Sequence, residues 1–132
     1  MVFVDTSFLI AAASPRDGDH EEAQMLRAQV EGRPLLTTNH VLGEAWILGL
    51  RRATRALALR LIADVRLSSR FTITRPDAEI EDRAWTWLFR HDEREYSFVD
   101  AVSFEVMRSQ RVTDVLSFDI DFEAAGFRVL RA

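Results

Sequence analysis

Two short apolar runs at opposite ends of the chain each close on an aspartate: Val2-Phe3-Val4-Asp5 and Val115-Leu116-Ser117-Phe118-Asp119. Runs of this length read as buried strands rather than helices. A strand with no polar alternation suits a parallel sheet covered on both faces, where ligand chemistry collects at the carboxyl ends of the strands. Parallel neighbours also require long crossovers, and the sequence between the two runs supplies them.

Residues 2–5 read as the first strand, followed by a helical turn through Phe8-Leu9-Ile10-Ala11 and turn chemistry at 14–19. His20 to Glu31 has helical spacing and stops at Gly32-Arg33-Pro34. Leu35-Leu36-Thr37 reads as a strand, and Asn39 as the N-cap of a helix from His40 to Arg52 that carries Glu44. A helix is expected over 53–67, a strand over 71–74, and a helix with Pro76 in its first turn that ends near Arg90. Phe98 to Gln110 is again helical, 112–116 a strand, 122–125 a helical turn capped by Gly126, and 127–130 a closing strand. Strands alternating with helices predict an α/β fold with a mainly parallel sheet of about five strands, in a single domain spanning 1–132.

Composition removes several chemistries. Cysteine is absent, so thiolate metal sites and disulfides are excluded and the cytoplasm is the expected compartment. All 17 basic residues are arginine, which excludes Schiff-base lysines and the phosphate-loop lysine. The apolar N-terminus lacks a basic leader and carries Asp5, which fits a first strand and not a signal peptide, and no run has membrane-spanning length. A net charge of −4 argues against a broad basic nucleic-acid coat while leaving room for a local patch.

Four acids stand at element boundaries or on inward faces: Asp5, Glu44, Asp100 and Asp119, with Asp121 competing for the role of Asp119. Gathered without counterions they would repel one another and lose their charge, whereas a bound cation resolves the conflict. Oxygen ligands alone favour Mg²⁺ or Mn²⁺, which serve phosphodiester hydrolysis by activating water and neutralising phosphate charge. Each acid also has a plainer reading: Asp5, Asp119 and Asp121 suit helix caps, Asp100 suits the positive end of its helix, and Glu44 could be a solvated helix acid. Asp100 shares a helical face with Phe104 and Met107, which turns it inward.

Other candidates carry less. His20, His40 and His91 are scattered, and Ser7 has no matched base for a nucleophilic mechanism. Trp46, Trp85, Trp87, Phe89 and Phe104 read as core or subunit-interface residues before base-stacking ones. Arg51, Arg52 and Arg55 form the densest basic cluster, a solvated face or a contact for RNA phosphates. A phosphotransfer receiver would also place an aspartate after a strand, but it needs a lysine this chain lacks.

Val4-Asp5-Thr6-Ser7, the helical Glu44, Ser97-Phe98-Val99-Asp100-Ala101 and Leu116-Ser117-Phe118-Asp119-Ile120-Asp121-Phe122 together resemble the PIN-domain family, and within it the VapC-type toxins of toxin–antitoxin pairs. The resemblance runs from residue 2 to residue 130. It implies a three-layer α/β/α sandwich and a Mg²⁺- or Mn²⁺-dependent endoribonuclease, with Asp5, Glu44, Asp100 and Asp119 as catalytic and metal-holding acids. Asp121 matches an additional acid, Ser7 and Ser117 match supporting positions, and Asn39 stands in a supporting place where many relatives carry Ser or Thr. The family further implies an RNA substrate, a VapB-like antitoxin and a homodimer. The competing function is a PIN-fold module that binds RNA or protein without cutting.

Overall fold

The computed structural model describes residues 1–132. Five strands, β1 (Val2–Val4), β2 (Leu35–Thr38), β3 (Phe71–Thr74), β4 (Asp114–Leu116) and β5 (Arg128–Val129), form one sheet in the order β3-β2-β1-β4-β5. Every pairing is parallel, with Val2 opposite both Leu35 and Asp114. Seven helices connect and flank them: α1 (Thr6–Ala13), α2 (His20–Gln29), α3 (Asn39–Arg52), α4 (Arg55–Leu67), α5 (Ala78–Arg90), α6 (Phe98–Ser109) and α7 (Asp121–Ala124). No helix is long and apolar enough to cross a membrane.

The chain winds outward from β1 through β2 to β3, then returns to the other side of β1 for β4 and β5. The strand order therefore reverses between β1 and β4, and such a switch point opens a crevice at the carboxyl ends of the strands. Asp5 follows β1 and Asp119 lies just beyond β4, so these two aspartates flank that crevice. β1 is central, and Val2, Phe3 and Val4 are at most 1% exposed. Its two apolar faces are covered by helices on both sides, the reason its sequence has no polar alternation. Phe3 packs on Phe122, which meets Phe104 edge-on at 5.0 Å, tying β1, α6 and α7 into one core.

Several boundaries differ from the sequence expectation. Asn39 is not the cap of α3: it is the first helical residue and exposed, while Thr38 Oγ1 accepts from the Val41 N–H at 3.0 Å. Two adjacent polar residues could each have capped, and the buried end of β2 selects the threonine. Pro76 precedes α5 instead of lying in its first turn, since the Asp77 carboxylate accepts from the Ile80 N–H. The turn expected at 8–11 is a full helix of 8 residues from Thr6. α4 starts after Thr54, which caps it; Gly49 of α3 lets the two helices meet, because a Cβ there would lie 2.9 Å from that of Ala58.

The end of α6 sets β4 in place. Val112 N–H bonds back to Met107 and Arg111 N–H to Arg108, a Schellman arrangement that places Arg111 at φ 57°. At the end of α7, Gly126 takes the matching position at φ 98° without the Cβ conflict.

Candidate active site

A cleft of about 330 Å³ opens at the switch point, lined by Asp5, Thr6, Ser7, Glu44, Arg52, Glu95, Ser97, Asp100, Asp119 and Asp121 among others. All five acids singled out in the sequence reach it. A separate cavity of about 250 Å³, lined by Val4, Phe8, Leu61 and Phe71, is chiefly apolar and contains none of them.

Asp5 occupies the N-cap position of α1 but makes no side-chain capping bond. Its Oδ2 instead accepts from Ser117 Oγ at 2.9 Å and Ser7 Oγ at 3.1 Å. Each hydroxyl has one proton, so with both given to Asp5 the 3.2 Å approach of Ser7 to Ser117 is a contact and not a third bond. The same hydroxyls accept in turn: Ser117 from the Asp119 N–H at 3.0 Å, Ser7 from the Phe118 N–H at 2.9 Å. Two serines thus clamp the loop after β4 onto the end of β1.

Asp100 sits in the first turn of α6 within a capping box. Ser97 Oγ accepts from the Asp100 N–H at 3.0 Å, and Asp100 Oδ2 accepts from the Ser97 N–H at 3.3 Å. Cap and cleft residue are therefore one and the same, with only one carboxylate oxygen spent on the helix. Asp119 Oδ1 accepts from the Asp121 N–H, and the carboxylates of Asp100, Asp119 and Asp121 offer oxygens that all lie within 4.8 Å of one another.

Electrostatics separate this set from other acids. Burial pushes Asp5 up to about 6 against hydrogen bonds led by Ser117, and pushes Asp100 up to about 7 with repulsion from Asp5 adding to it. Burial also raises Asp119. Asp114 provides the internal contrast: it opens β4 at the opposite end of the sheet, and Arg33 and Arg128 reach it at 2.9 Å. Its burial is outweighed by those partners, and its pKa falls. Asp5, Glu44, Asp100 and Asp119 have no ion-pair partner at all.

The other expectations divide. Arg52 lines the cleft beside Glu44, whereas Arg55 lies over the Trp46 ring at 5.8 Å, and Arg51 is exposed without lining the cleft. Asn39 is away from the acids, in a groove with Trp46, Ile62, Arg66 and Arg75. His20 and His91 bond to main-chain carbonyls, and His40 pairs with Glu81. Two residues of the cleft lining escaped the sequence reading, Glu95 and Ser97 as a holder of Asp100, and so did Arg94, which bonds Asp121 from the 91–96 loop. The capping box was legible in the Ser97/Asp100 spacing; nothing local marks Arg94.

Residues 2–128 match the PIN domain. Over 131 residues the chain is 47% identical to the 23S rRNA-specific endonuclease VapC20 of Mycobacterium tuberculosis, covering 99% of this chain and 98% of that protein. The crystal structure of M. tuberculosis VapC20, a sarcin-ricin loop cleaving toxin, matches with a TM-score of 0.95 at 45% identity over 100% of both chains. A toxin–antitoxin complex from Klebsiella pneumoniae matches with a TM-score of 0.69 at 14% identity, covering 98% of this chain and 96% of that one, and so shares the fold.

Proposed function

The chain belongs to the PIN-domain family, and on that premise we propose that it is a divalent-metal-dependent endoribonuclease, the toxin of a toxin–antitoxin pair, whose substrate is the sarcin-ricin loop of 23S rRNA. The carrying observation is the set Asp5, Glu44, Asp100 and Asp119 at the switch point, none of them ion-paired, with Asp5 and Asp100 buried and raised to about 6 and about 7 while the arginine-paired Asp114 is lowered. A fold that neutralises one buried acid with two arginines and leaves its neighbours across the sheet unneutralised has kept a place for an external cation.

The donor set fits Mg²⁺ or Mn²⁺, being oxygen throughout. Asp5, Glu44, Asp100 and Asp119 would hold the ion, with Asp121 as the further acid beside Asp119. When bound, such a cation supplies Lewis acidity toward water and phosphate oxygens. The remaining work belongs to the chain. Ser117 and Ser7 fix one oxygen of Asp5 and leave the other toward the cleft, Ser97 orients Asp100 in the same way, and the Asp121 N–H orients Asp119. Arg52 brings the only positive side chain of the cleft lining; with Arg51 and Arg55 beyond it, it receives phosphates of the RNA strand.

The partners follow from the same reading. An antitoxin covers the cleft, and co-expressing a cognate VapB-like antitoxin should relieve the growth arrest that the toxin causes; arrest unchanged by it would reject that partner. A second copy of the chain docks on exposed apolar residues of α3 and α5, where Ile47, Leu50, Trp85 and Phe89 are 49%, 42%, 46% and 80% exposed. The cytoplasm, where ribosomes are, is the proposed site of action.

The central test is cleavage. Purified protein incubated with ribosomes should release one discrete 23S rRNA fragment in Mg²⁺ or Mn²⁺ and none in EDTA, and Asp5→Asn should release none. Equal behaviour of the two proteins, or cutting in EDTA, would sink the metal-nuclease reading and leave a binding module. Cleavage elsewhere in total RNA would overturn the substrate alone.

A further inference from the structure

Arg94 is the one cation bonded to a carboxylate of the cleft. It belongs to the loop between α5 and α6, and its Nε and Nη2 reach the same oxygen, Oδ1 of Asp121, at 2.8 and 2.7 Å. Oδ2 of Asp121 is left out of that pair, and the carboxylate lies in the group with Asp100 and Asp119 whose oxygens are within 4.8 Å. Asp121 thus faces two ways, toward an arginine at the rim and toward the acids inside.

Those two roles compete. The guanidinium offsets part of the repulsion among Asp100, Asp119 and Asp121, which is the service a metal ion performs more strongly, with twice the charge and shorter contacts. The arginine side is also the weaker hold. The Arg94 side chain is 36% exposed, so solvent screens its side of the pair. Asp100, Asp119 and Asp121 would hold a cation in this group, and its positive charge would compete with the guanidinium for Asp121 and repel it.

The loop itself carries an independent sign of a second arrangement. Tyr96, two residues on, is 9% exposed, and its hydroxyl is buried with no hydrogen-bond partner. An unsatisfied buried hydroxyl is costly, so this conformation of the loop leaves a buried polar group unpaired beside the Arg94–Asp121 pair. Trp87 and Phe104, edge-on to the Tyr96 ring at 4.7 and 5.8 Å, anchor the loop base while Arg94 swings.

We propose that Arg94 is an internal counterion that stands in for the metal: it holds Asp121 while the acids are metal-free and releases it when a divalent cation binds. The inference rests on the metal-dependent reading above and adds to it a positioning residue outside the acidic set. Loading then leaves a tethered, unpaired guanidinium at the rim of the cleft.

The test follows the Arg94 Nε–H by ¹H–¹⁵N NMR in the full chain during a Mg²⁺ titration, its resonance assigned by its loss in Arg94→Lys. The metal-free signal should lie at the position of a carboxylate-bonded, slowly exchanging Nε–H, then move at saturation to that of a solvated arginine exchanging with water. The Asp119 and Asp121 amides should report the same binding event. In parallel, Arg94→Gln should bind Mn²⁺ about tenfold more tightly than wild type, with Arg94→Lys close to wild type. Shifted amides with an unmoved Arg94 signal, or an Arg94→Gln affinity no tighter than wild type, would overturn the counterion while leaving the metal site intact. No response anywhere at millimolar Mg²⁺ would instead overturn the metal reading and the counterion with it.

Discussion

Ser117 Oγ donates to Asp5 Oδ2 at 2.9 Å across 112 residues of sequence, and it accepts from the Asp119 N–H at 3.0 Å. One hydroxyl therefore fixes the first aspartate and the loop bearing the last. The bond favours the charged form of Asp5 against burial, which nonetheless prevails and lifts the carboxyl to about 6.

Removing that hydroxyl should move the pH dependence of the reaction. In Ser117→Ala the charged Asp5 loses its strongest hydrogen bond, so the acidic limb of the cleavage rate should shift to higher pH and the loss relative to wild type should be greater at pH 6 than at pH 8. Stability should fall by about 1–3 kcal/mol. Ser117→Thr, which keeps the hydroxyl, should restore both; a pH profile of Ser117→Ala parallel to wild type would refute the role.

Asp5→Asn should abolish cleavage and stabilise the metal-free protein. The carboxyl has been raised from 3.8 to about 6, and at about 1.4 kcal/mol per pH unit its ionisation at neutral pH costs roughly 2–3 kcal/mol of folding free energy. Thermal unfolding in EDTA at pH 7.5 measures it, and a melting temperature at or below wild type would contradict the argument.

The metal-free protein should lose stability as pH rises from about 4 to about 7. Asp5 and Asp100 bind protons more tightly folded than unfolded, so their contribution is intact below the unfolded value of 3.8 and is lost as pH climbs through about 6 and about 7. Asp114 has the opposite sign: its lowered pKa gives stability present above the unfolded value and lost as pH falls toward its folded one. Denaturant melts across this range should slope downward in EDTA and flatten with Mg²⁺; an upward slope in EDTA would rule the account out.

Thr38→Ala should destabilise by about 1 kcal/mol through loss of the α3 cap, while Asn39→Ala stays within about 0.5 kcal/mol. Chemical denaturation separates the two. Equal losses would return the capping role to Asn39.

Phe89→Glu should convert a dimer to a monomer with its fold retained, since Phe89 is 80% exposed and its ring stacks along Trp85 at 6.2 Å. Sedimentation of wild type and variant decides; a wild type that already sediments as a monomer, or a variant that still dimerises, would exclude this face.

Much of this architecture could be read locally. The apolar runs at 2–4 and 115–116 have no alternative but a covered strand, and the Ser97/Asp100 spacing writes a capping box into four residues. Helix ends proved harder, because Thr38 and Asn39 are both competent caps and only the buried edge of β2 distinguishes them. Arg52 and Arg55 look equivalent in sequence, yet they project from different helices: one enters the acidic cleft, the other lies on Trp46.

By itself the sequence determined the alternation of strands and helices and the two aspartates at strand ends, since hydrophobic periodicity and capping act over a few residues. Tertiary structure alone decided which acids would be neutralised. Asp114 and Asp5 both sit at the end of a buried strand, but the parallel register sets them at opposite ends of the sheet, where one meets Arg33 and Arg128 and the other meets only hydroxyls. Charge compensation is a long-range property, fixed by which side chains the fold brings within a few ångströms. The pairing of Arg94 with Asp121 across 27 residues is the same kind of decision.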